Sequence, residues 1–296
     1  MVMRKRTNIF TQTLLVVLML LISLTMLVPI LNIFAKSLSS PTASAAMSGL
    51  RVIPQDVDFI NFKIVFNHPV LMKSIFNSLL ITVVGTLINI TLTSLAAYGL
   101  TREKLTLKKP IMVFLITMML FDPGLVPEYL VVQSLGLMGS RWSVILVTSV
   151  NVYYLVILMR YFEAVPKDIV EAGVIDGLGD IGLLQNIIIP LSKAGIATIT
   201  MFYAVLRWNE YFKASIYILD QSKTVLQVIL RQFVVLGNTV KLIGQQNVMD
   251  YNEFAKVDYG GLKAATIVVA IVPILCVYPI VLKYYNKDVF SGSVKE

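Results

Sequence analysis

Residues 14–35 read LLVVLMLLISLTMLVPILNIFA, a run of 22 residues that contains no charged side chain. A transmembrane helix needs about 20 consecutive, mostly apolar residues. Arg4-Lys5-Arg6 precedes the run and Ala43-Ser44-Ala45 follows it, an arrangement also typical of a secretory signal peptide. Because the apolar part of a signal peptide is only about 7–15 residues long, we interpret this run as a retained membrane helix.

The rest of the chain has the same apolar character. Of the 296 residues, 57% are hydrophobic and 14% are charged, whereas soluble domains carry about 25% charged residues. The third apolar run is interrupted by Asp122-Pro123-Gly124, and the fifth ends in Arg207-Trp208-Asn209-Glu210. The sequence predicts an all-α, polytopic membrane protein with six transmembrane helices, at about 14–35, 75–99, 111–130, 142–159, 187–206 and 264–282.

Basic residues set the predicted orientation, because Lys and Arg concentrate in cytoplasmic loops. The short outer loop near 131–141 holds only Arg141. With the N-terminus inside, thirteen basic residues flank the spans on the cytoplasmic side: Arg4, Lys5, Arg6, Arg102, Lys104, Lys108, Lys109, Arg160, Lys167, Lys193, Lys283, Lys287 and Lys295. Both termini are therefore predicted to be cytoplasmic. Topology and attraction to anionic lipids explain the net charge of +8 without a nucleic-acid partner.

Groups that could form a catalytic or metal centre are scarce. The chain has one cysteine, Cys276, and one histidine, His68, which rules out an intrachain disulfide and a thiolate metal site. An intramembrane enzyme would need a nucleophile with a base, and a secondary transporter would need coupling-ion groups at the membrane midplane. The sequence shows neither pattern, so we predict no catalytic residue, no metal and no cofactor on this chain.

Residues 171–182, EAGVIDGLGDIG, carry two competing patterns. Gly177, Gly179 and Gly182 match the G-x-G-x-x-G fingerprint of dinucleotide-binding folds. That fingerprint needs a βαβ unit of about 30 residues, but mostly membrane helix precedes it here, so we reject a nucleotide site. No G-x-x-x-x-G-K-[ST] loop occurs either, so ATP hydrolysis is not expected in this chain. Two alternatives remain open: a solvated connection, or a helix–turn–helix that presents four acids to the cytoplasm, Asp168, Glu171, Asp176 and Asp180.

The same stretch resembles a known motif. Glu171-Ala172-Gly173-x-x-Asp176-Gly177, followed by Ile187-x-Ile189-Pro190-Leu191, is similar to the EAA loop of ABC importer membrane subunits, E-A-A-x-x-x-G and then I-x-L-P. It departs at Gly173 and Leu178, where alanine is usual, and at Ile189, where leucine is usual. Further segments resemble the second membrane subunit of maltose-type oligosaccharide importers, in the branch serving complex polysaccharide fragments: 124–130, 135–137, 160–166, Trp208-Asn209 and 292–295. The likeness covers roughly residues 10–296.

The resemblance implies a type I ABC importer permease fold in the bacterial cytoplasmic membrane. It implies as partners a homologous membrane subunit, two cytosolic ABC ATPase subunits that carry ATP and Mg, and an extracytoplasmic solute-binding protein. It implies that 160–193 is the coupling loop and that residues 284–296 also reach the ATPases. Glu171 would pair with an arginine of the ATPase, and the short side chains at 172 and 173 would let the helix sit close. The residues implied at this contact are Glu171, Ala172, Gly173, Asp176, Gly177 and Pro190.

Polar residues toward the outer side are candidates for sugar or receptor contacts. In the second span, Asn77, Thr82 and Asn89 either bond between helices or line the sugar path. At the end of the fifth span, Trp208, Asn209 and Glu210 either anchor the helix or contact sugar, and Glu210 could pair with Arg207. The long outer loop, 213–261, contains an amphipathic segment, 226–236. By resemblance this loop faces the receptor, and the alternative is a lid over the partner subunit. The residues implied to face the receptor are Gln245, Gln246, Asn247, Asp250 and Tyr251.

Overall fold

The computed structural model describes residues 9–102, 105–121, 123–237 and 258–292. Over these ranges the chain is all-α, and its only β-type pairing is an isolated bridge between Ser39 and Val57. The fold class predicted from the sequence is therefore confirmed. Since the described chain contains no strand, the βαβ unit that a dinucleotide fingerprint requires does not surround 177–182.

Three long helices contain the predicted first, second and sixth spans. They are α1 (Ile9–Ser37), α4 (Pro69–Thr101) and α15 (Tyr259–Gly292). Each includes a stretch long and apolar enough to cross a membrane by itself. Many apolar side chains of α4 are exposed, including Leu79, Val83 and Leu87, which suits a surface that meets lipid or another membrane subunit.

Three further pairs of helices are each long and apolar enough together, but each is bent. In the first pair, α5 (Lys108–Leu120) and α6 (Leu125–Ser134) meet at 115°. In the second, α7 (Arg141–Val147) and α8 (Val152–Glu163) meet at 52°. The third lies at the predicted fifth span. If each bent pair counts as one span, the described chain contains six candidate spans, the number that the sequence predicts.

The boundaries predicted for the fifth span, 187–206, differ from the structure. The helical segment Asp180–Leu191 comprises α10 (Asp180–Leu183), a π-helical turn (Leu184–Ile188) and α11 (Ile189–Leu191). It meets α12 (Lys193–Trp208) at 87°, so 187–191 lies before the bend. Pro190 cannot donate a backbone hydrogen bond, and the Ser192 hydroxyl in the bend donates to Tyr161 O at 3.2 Å. The run 187–191 is apolar throughout, so hydropathy does not indicate the bend.

Short helices complete the described chain: α2 (Pro41–Ala46), α3 (Ile60–Asn67), α9 (Lys167–Ile175), α13 (Phe212–Tyr217) and α14 (Leu226–Leu230). A π-helical turn, Arg231–Val235, continues α14, and together they form the amphipathic segment predicted at 226–236. The predicted receptor-facing residues Gln245, Gln246, Asn247, Asp250 and Tyr251 lie outside the described residues.

The chain divides into two compact units. Of the described residues, one unit contains 9–72, 230–237 and 258–272, and polar bonds join its segments. Asn61 Nδ2 donates to Ser37 O and Ser39 O, and Ser44 Oγ donates to Asp258 Oδ2 at 2.8 Å. Burial alone would raise the pKa of Asp258, but hydrogen bonds from Ser44 and two backbone N–H groups, together with nearby Lys36, lower it overall.

The second unit contains the described residues 73–102, 105–121, 123–229 and 273–292, and it holds two apolar cores. One core joins α4, α8, α10 and α12 through Ala97, Leu155, Leu158, Phe162, Leu183, Ile199 and Tyr203. The other joins α4 and α7 to the segment after α12 through Ile81, Val144, Ile145, Ala214, Ile218, Val225 and Val228. The described residues of the coupling-loop and sugar-path candidates belong to this unit.

Candidate functional site

Helix α9 forms the centre of the segment that resembles the EAA loop. Only three residues separate it from α8, and Pro166 stands directly before its first turn, a position that suits proline. The helix ends in a turn in which Leu178 N donates to Gly173 O at 3.0 Å and Gly177 N donates to Val174 O at 3.0 Å. Gly177 has φ +84°, in the left-handed region that glycine favours. The turn predicted at Gly177 is confirmed.

The inner face of α9 packs against the segment that follows it. Gly173 is buried there. A Cβ atom at this position would lie 2.4 Å from Ile187 Cδ1 and 2.9 Å from Leu183 Cδ2. The departure from the usual alanine thus has a physical reason, namely close packing within this chain. The implication that Gly173 and Ala172 together let α9 sit close to an ATPase needs correction, since only Ala172 is exposed.

We expect substitutions at Gly173 to report on this close packing. Gly173→Ala should cost about 1 kcal/mol, because the ends of Ile187 and Leu183 can change rotamer, whereas Gly173→Leu should cost about 3 kcal/mol by overpacking. Thermal unfolding of the purified permease measures both. Gly179→Ala is the matched control, because a Cβ there meets nothing within 4 Å. Equal unfolding temperatures for Gly173→Leu and Gly179→Ala would contradict the packing described.

The outer face of α9 is exposed, and its residues repeat at helical spacing. We name it the docking face and define it as Asp168, Glu171, Ala172 and Ile175. Ile175 is 85% exposed. Within the described part of the chain, the Glu171 carboxylate has no hydrogen bond or ion pair. Asp176 is exposed at the end of α9, and Pro190 lies in α11. An exposed isoleucine beside an unpaired acid can contact another protein.

A cleft of about 750 Å³ adjoins α9 and is lined by the ends of α4, α5 and α8. The Tyr98 hydroxyl donates to Asp180 Oδ1 at 3.0 Å, and the Arg102 guanidinium stacks 4.1 Å from the Tyr98 ring. Glu163 pairs with Lys108 at 3.8 Å and with Arg160 at 3.1 Å. These contacts tie Asp180 to α4 and Glu163 to α5, whereas Glu171 on the same rim has no such bond to any described residue.

Comparison with known proteins identifies the family. No protein-family model matches the chain. It is 35% identical over 277 residues to the polygalacturonan/rhamnogalacturonan transport system permease protein YtcP of Bacillus subtilis, covering 94% of this chain and 95% of that protein. The chain belongs to the permease subunits of ABC sugar transporters. It is 37% identical over 269 residues to Protein LplC of the same organism, covering 91% of this permease and 89% of that protein.

A solved structure agrees with this assignment. A chain of a bacterial ABC transporter involved in the import of the acidic polysaccharide alginate is 28% identical to the permease, with a TM-score of 0.85. The match covers 96% of the permease and all of that chain. The permease is thus a transport subunit rather than an enzyme, and it is a multi-pass protein of the bacterial inner membrane. Among its described residues, no three His, Cys, Asp or Glu side chains come together as a metal site.

The candidates at the end of α12 mostly bond within the permease. Trp208 is buried, and Asn209 Nδ2 donates to Val205 O at 2.9 Å. Glu210 Oε1 accepts from Lys213 N, in the first turn of α13, at 3.0 Å. The pairing predicted between Glu210 and Arg207 needs correction. Arg207 is only 2% exposed, and its guanidinium donates instead to carbonyl and side-chain oxygens of other helices.

The candidates on α4 differ from one another. Asn77 Nδ2 donates to Ser222 O and Thr224 O at 3.0 Å each, and its Oδ1 accepts from Arg141. Asn89 Oδ1 accepts from Arg207 at 2.9 Å. Asn77 and Asn89 therefore make bonds between helices, which is one of the two alternatives given for them by the sequence. Thr82 instead lines an apolar cavity of about 340 Å³, together with Thr86, Trp208 and Pro273. Sugar contact remains a prediction for all six candidates.

One polar cluster was not predicted. Glu128 at the start of α6 accepts from Lys213 Nζ at 2.9 Å and from the Tyr217 hydroxyl. Burial, and then the hydrogen bond to Glu128, raise the pKa of Tyr217 above its ordinary range. The cluster ties α13 to α6. Its members are up to 89 residues apart, so no local spacing in the sequence could have indicated it.

Proposed function

We propose that this permease moves oligosaccharides inward across the membrane by alternating access, driven by cytosolic ATPases that bind the docking face. The observation that carries the proposal is the exposure of Asp168, Glu171, Ala172 and Ile175 on one helix, at the position of the EAA motif. The Glu171 carboxylate, which has no partner among the described residues, can pair with an arginine of the ATPase. Ile175, which is 85% exposed, can enter an apolar cleft beside that arginine.

The same proposal assigns the partners and the orientation. A homologous membrane subunit, two ABC ATPases that hold ATP and Mg, and an extracytoplasmic solute-binding protein complete the importer. The coupling loop, 160–193, and both termini lie in the cytoplasm, which the distribution of Lys and Arg supports. The outer loop, including Gln245, Gln246, Asn247, Asp250 and Tyr251, faces the solute-binding protein.

The connections of α9 suggest how movement spreads through the permease. When ATP brings the two ATPases together, the docking face moves with them. Because α9 follows α8 after three residues and packs on Leu183 and Ile187, both α8 and the segment leading to α12 move with it. Packed helices move as rigid bodies rather than deform continuously. The membrane helices then change the side on which the sugar path opens.

The relatives support a substrate class. One relative carries polygalacturonan/rhamnogalacturonan transport in its name, and the solved neighbour takes part in alginate import. Oligosaccharide fragments of complex polysaccharides are therefore the proposed substrates.

Purification with partners tests this proposal. We expect the tagged permease, extracted from its native membrane, to retain a homologous membrane subunit and an ABC ATPase. After reconstitution with the solute-binding protein, ATP hydrolysis should rise several-fold with fragments of polygalacturonan or alginate and not with raffinose. Recovery of the permease without any ATP-binding subunit would contradict the proposed coupling. Stimulation by raffinose alone would contradict the substrate class.

A further inference from the structure

The fourth span is broken in the middle, and the break leaves backbone polar groups without partners in their own helices. Helix α7 ends at Val147 and α8 begins at Val152, so 148–151 is not helical. The last carbonyls of a helix and the first N–H groups of the next have no partner within their own helices. In a membrane such groups must be satisfied by protein, because no water replaces the lost bonds. The residues that supply these bonds therefore determine how firmly the bend of the span is held.

Arg207 of α12 donates to three carbonyl oxygens on the α7 side of the break. Its Nη2 donates to Ile145 O at 2.7 Å and to Thr148 O at 2.9 Å. Its Nη1 donates to Val144 O and to Thr148 Oγ1. Arginine stays protonated in proteins, so a full positive charge lies at the end of α7. Apart from these groups it bonds only Asn89 of α4 within the described chain.

Tyr203, one turn earlier on α12, bonds one backbone N–H group on the α8 side of the break. Its hydroxyl oxygen accepts from Asn151 N at 3.0 Å, and the hydroxyl also bonds Thr93 Oγ1 at 2.8 Å. The Asn151 side chain in turn accepts from Tyr154 N and caps α8. Tyr203 is fully buried, as is Thr93. The two ends of the break are thus held by two residues four apart on α12.

The supports on α4 have the same spacing. Asn89 bonds Arg207 and Thr93 bonds Tyr203, so residues four apart on α4 face residues four apart on α12. Side chains four apart lie on one face of a helix. The set joins three spans at the break in the fourth. We name it the clasp: Asn89, Thr93, Thr148, Asn151, Tyr203 and Arg207.

We propose that the clasp fixes the bend of the fourth span during transport, with Arg207 and Tyr203 as its positioning residues. This inference rests on the proposed role of α9. Helix α8 leads directly into α9, so any push on the docking face tilts α8. Without the clasp, the non-helical residues 148–151 would absorb that tilt. With it, the tilt passes through Arg207 and Tyr203 to α12 and α4, and the coupling loop moves three spans together.

Spin labels on either side of the break test the proposal. Trp142 on α7 and Arg160 on α8 are exposed, and 18 residues along a helix span about 27 Å, somewhat less when bent. Both are replaced by labelled cysteine in a Cys276→Ser background, in the complex with its ATPases. We expect one narrow distance that is the same without nucleotide and with ATP. A distance that changes with ATP in the chain with an intact clasp would overturn the proposal.

Two clasp variants and two matched controls complete the design. Tyr203→Phe removes one hydroxyl, and Arg207→Met removes the guanidinium. Tyr154→Phe is the first control, because Tyr154 packs edge-on against Tyr203 at 4.9 Å but its hydroxyl takes no part in the clasp. Arg51→Met is the second, because Arg51 is exposed. We expect both clasp variants to broaden the distance and make it depend on ATP, and both controls to leave it narrow.

Coupling gives a second readout that loss of folding would not mimic. A lost hydrogen bond shifts an equilibrium by roughly fivefold. In Tyr203→Phe we therefore expect about fivefold less stimulation of ATPase activity by the solute-binding protein, with basal activity unchanged. If Arg207→Met does not assemble, Tyr203→Phe decides the result. Narrow, unchanged distances in Tyr203→Phe would refute the clasp, whereas failure of the unmutated permease to retain ATPases would refute the proposed function instead.

Discussion

Glu171→Lys should release the ATPase subunits from the permease or abolish transport. In the proposed complex the Glu171 carboxylate faces an arginine of the ATPase, and the substitution places a like charge against it. Breaking a buried pair and leaving one charge unmatched costs about 3–5 kcal/mol, which is at least a hundredfold in affinity. Co-purification of the ATPase with the tagged permease, beside sugar uptake in cells, measures the effect.

The conservative variant makes this prediction sharper. Glu171→Gln keeps the shape and an acceptor oxygen but loses the charge, so it should weaken the complex by about tenfold. Because Glu171 is exposed and has no partner in the described chain, neither change should lower the unfolding temperature of the isolated permease. A large loss of stability in Glu171→Lys would show that this residue supports the fold of the permease and would contradict a docking role. Unchanged uptake would contradict it as well.

Gly177→Val should be nearly as damaging, through the backbone of α9. Gly177 has φ +84°, and a non-glycine residue held there costs about 1–3 kcal/mol, most for a β-branched one. The turn would open, and the docking face would lose its position relative to Leu183 and Ile187. We expect ATPase binding and uptake to fall together by at least tenfold. Circular dichroism should still report a largely helical protein.

Two matched variants separate this explanation from a nucleotide site. Gly177→Asn should be mild, because asparagine tolerates the left-handed conformation. Gly182→Ala should also be mild, because its Cβ would lie 3.3 Å from the flexible end of Leu178. If 177–182 bound a dinucleotide, Gly182 would matter because the backbone must approach the pyrophosphate closely. Loss of uptake in Gly182→Ala with normal uptake in Gly177→Val would reverse the interpretation.

Local sequence patterns predicted the features that depend on local physics. Charge-free runs located α1, α4 and α15, since a span is recognised by length and hydropathy alone. Glycine at 177 predicted the turn after α9, since few other residues adopt a positive φ. The EAA resemblance predicted that the coupling surface lies within 160–193. Asp122-Pro123-Gly124 likewise marked the interruption of the third span.

Features that depend on distant residues were not predictable. Hydropathy does not register the break at 148–151, because the helices on both sides of it are apolar. It does not register the bend at Ser192 either, because apolar runs, 187–191 and 194–206, lie on both sides of Ser192 and Lys193. Arg207 was matched with Glu210 because the two are near in sequence, yet its partners lie on α4 and α7, 59 to 118 residues away. The burial of Gly173 depends on Ile187, which reaches it only after the turn at Gly177. In each case the helix geometry, the bonding partner or the burial depends on tertiary contacts, which a local sequence pattern does not specify.

Photo-crosslinking from the docking face tests the central claim most directly. A photoreactive side chain at Ile175, which is 85% exposed, should form a covalent adduct with the ATPase subunit in intact membranes. The same group at Ile53, 74% exposed and predicted to lie outside, is the matched control and should give no such adduct. An ATPase adduct from Ile175 alone is the result that we predict. An assembled, active complex that gives no ATPase adduct from Ile175 would contradict the account.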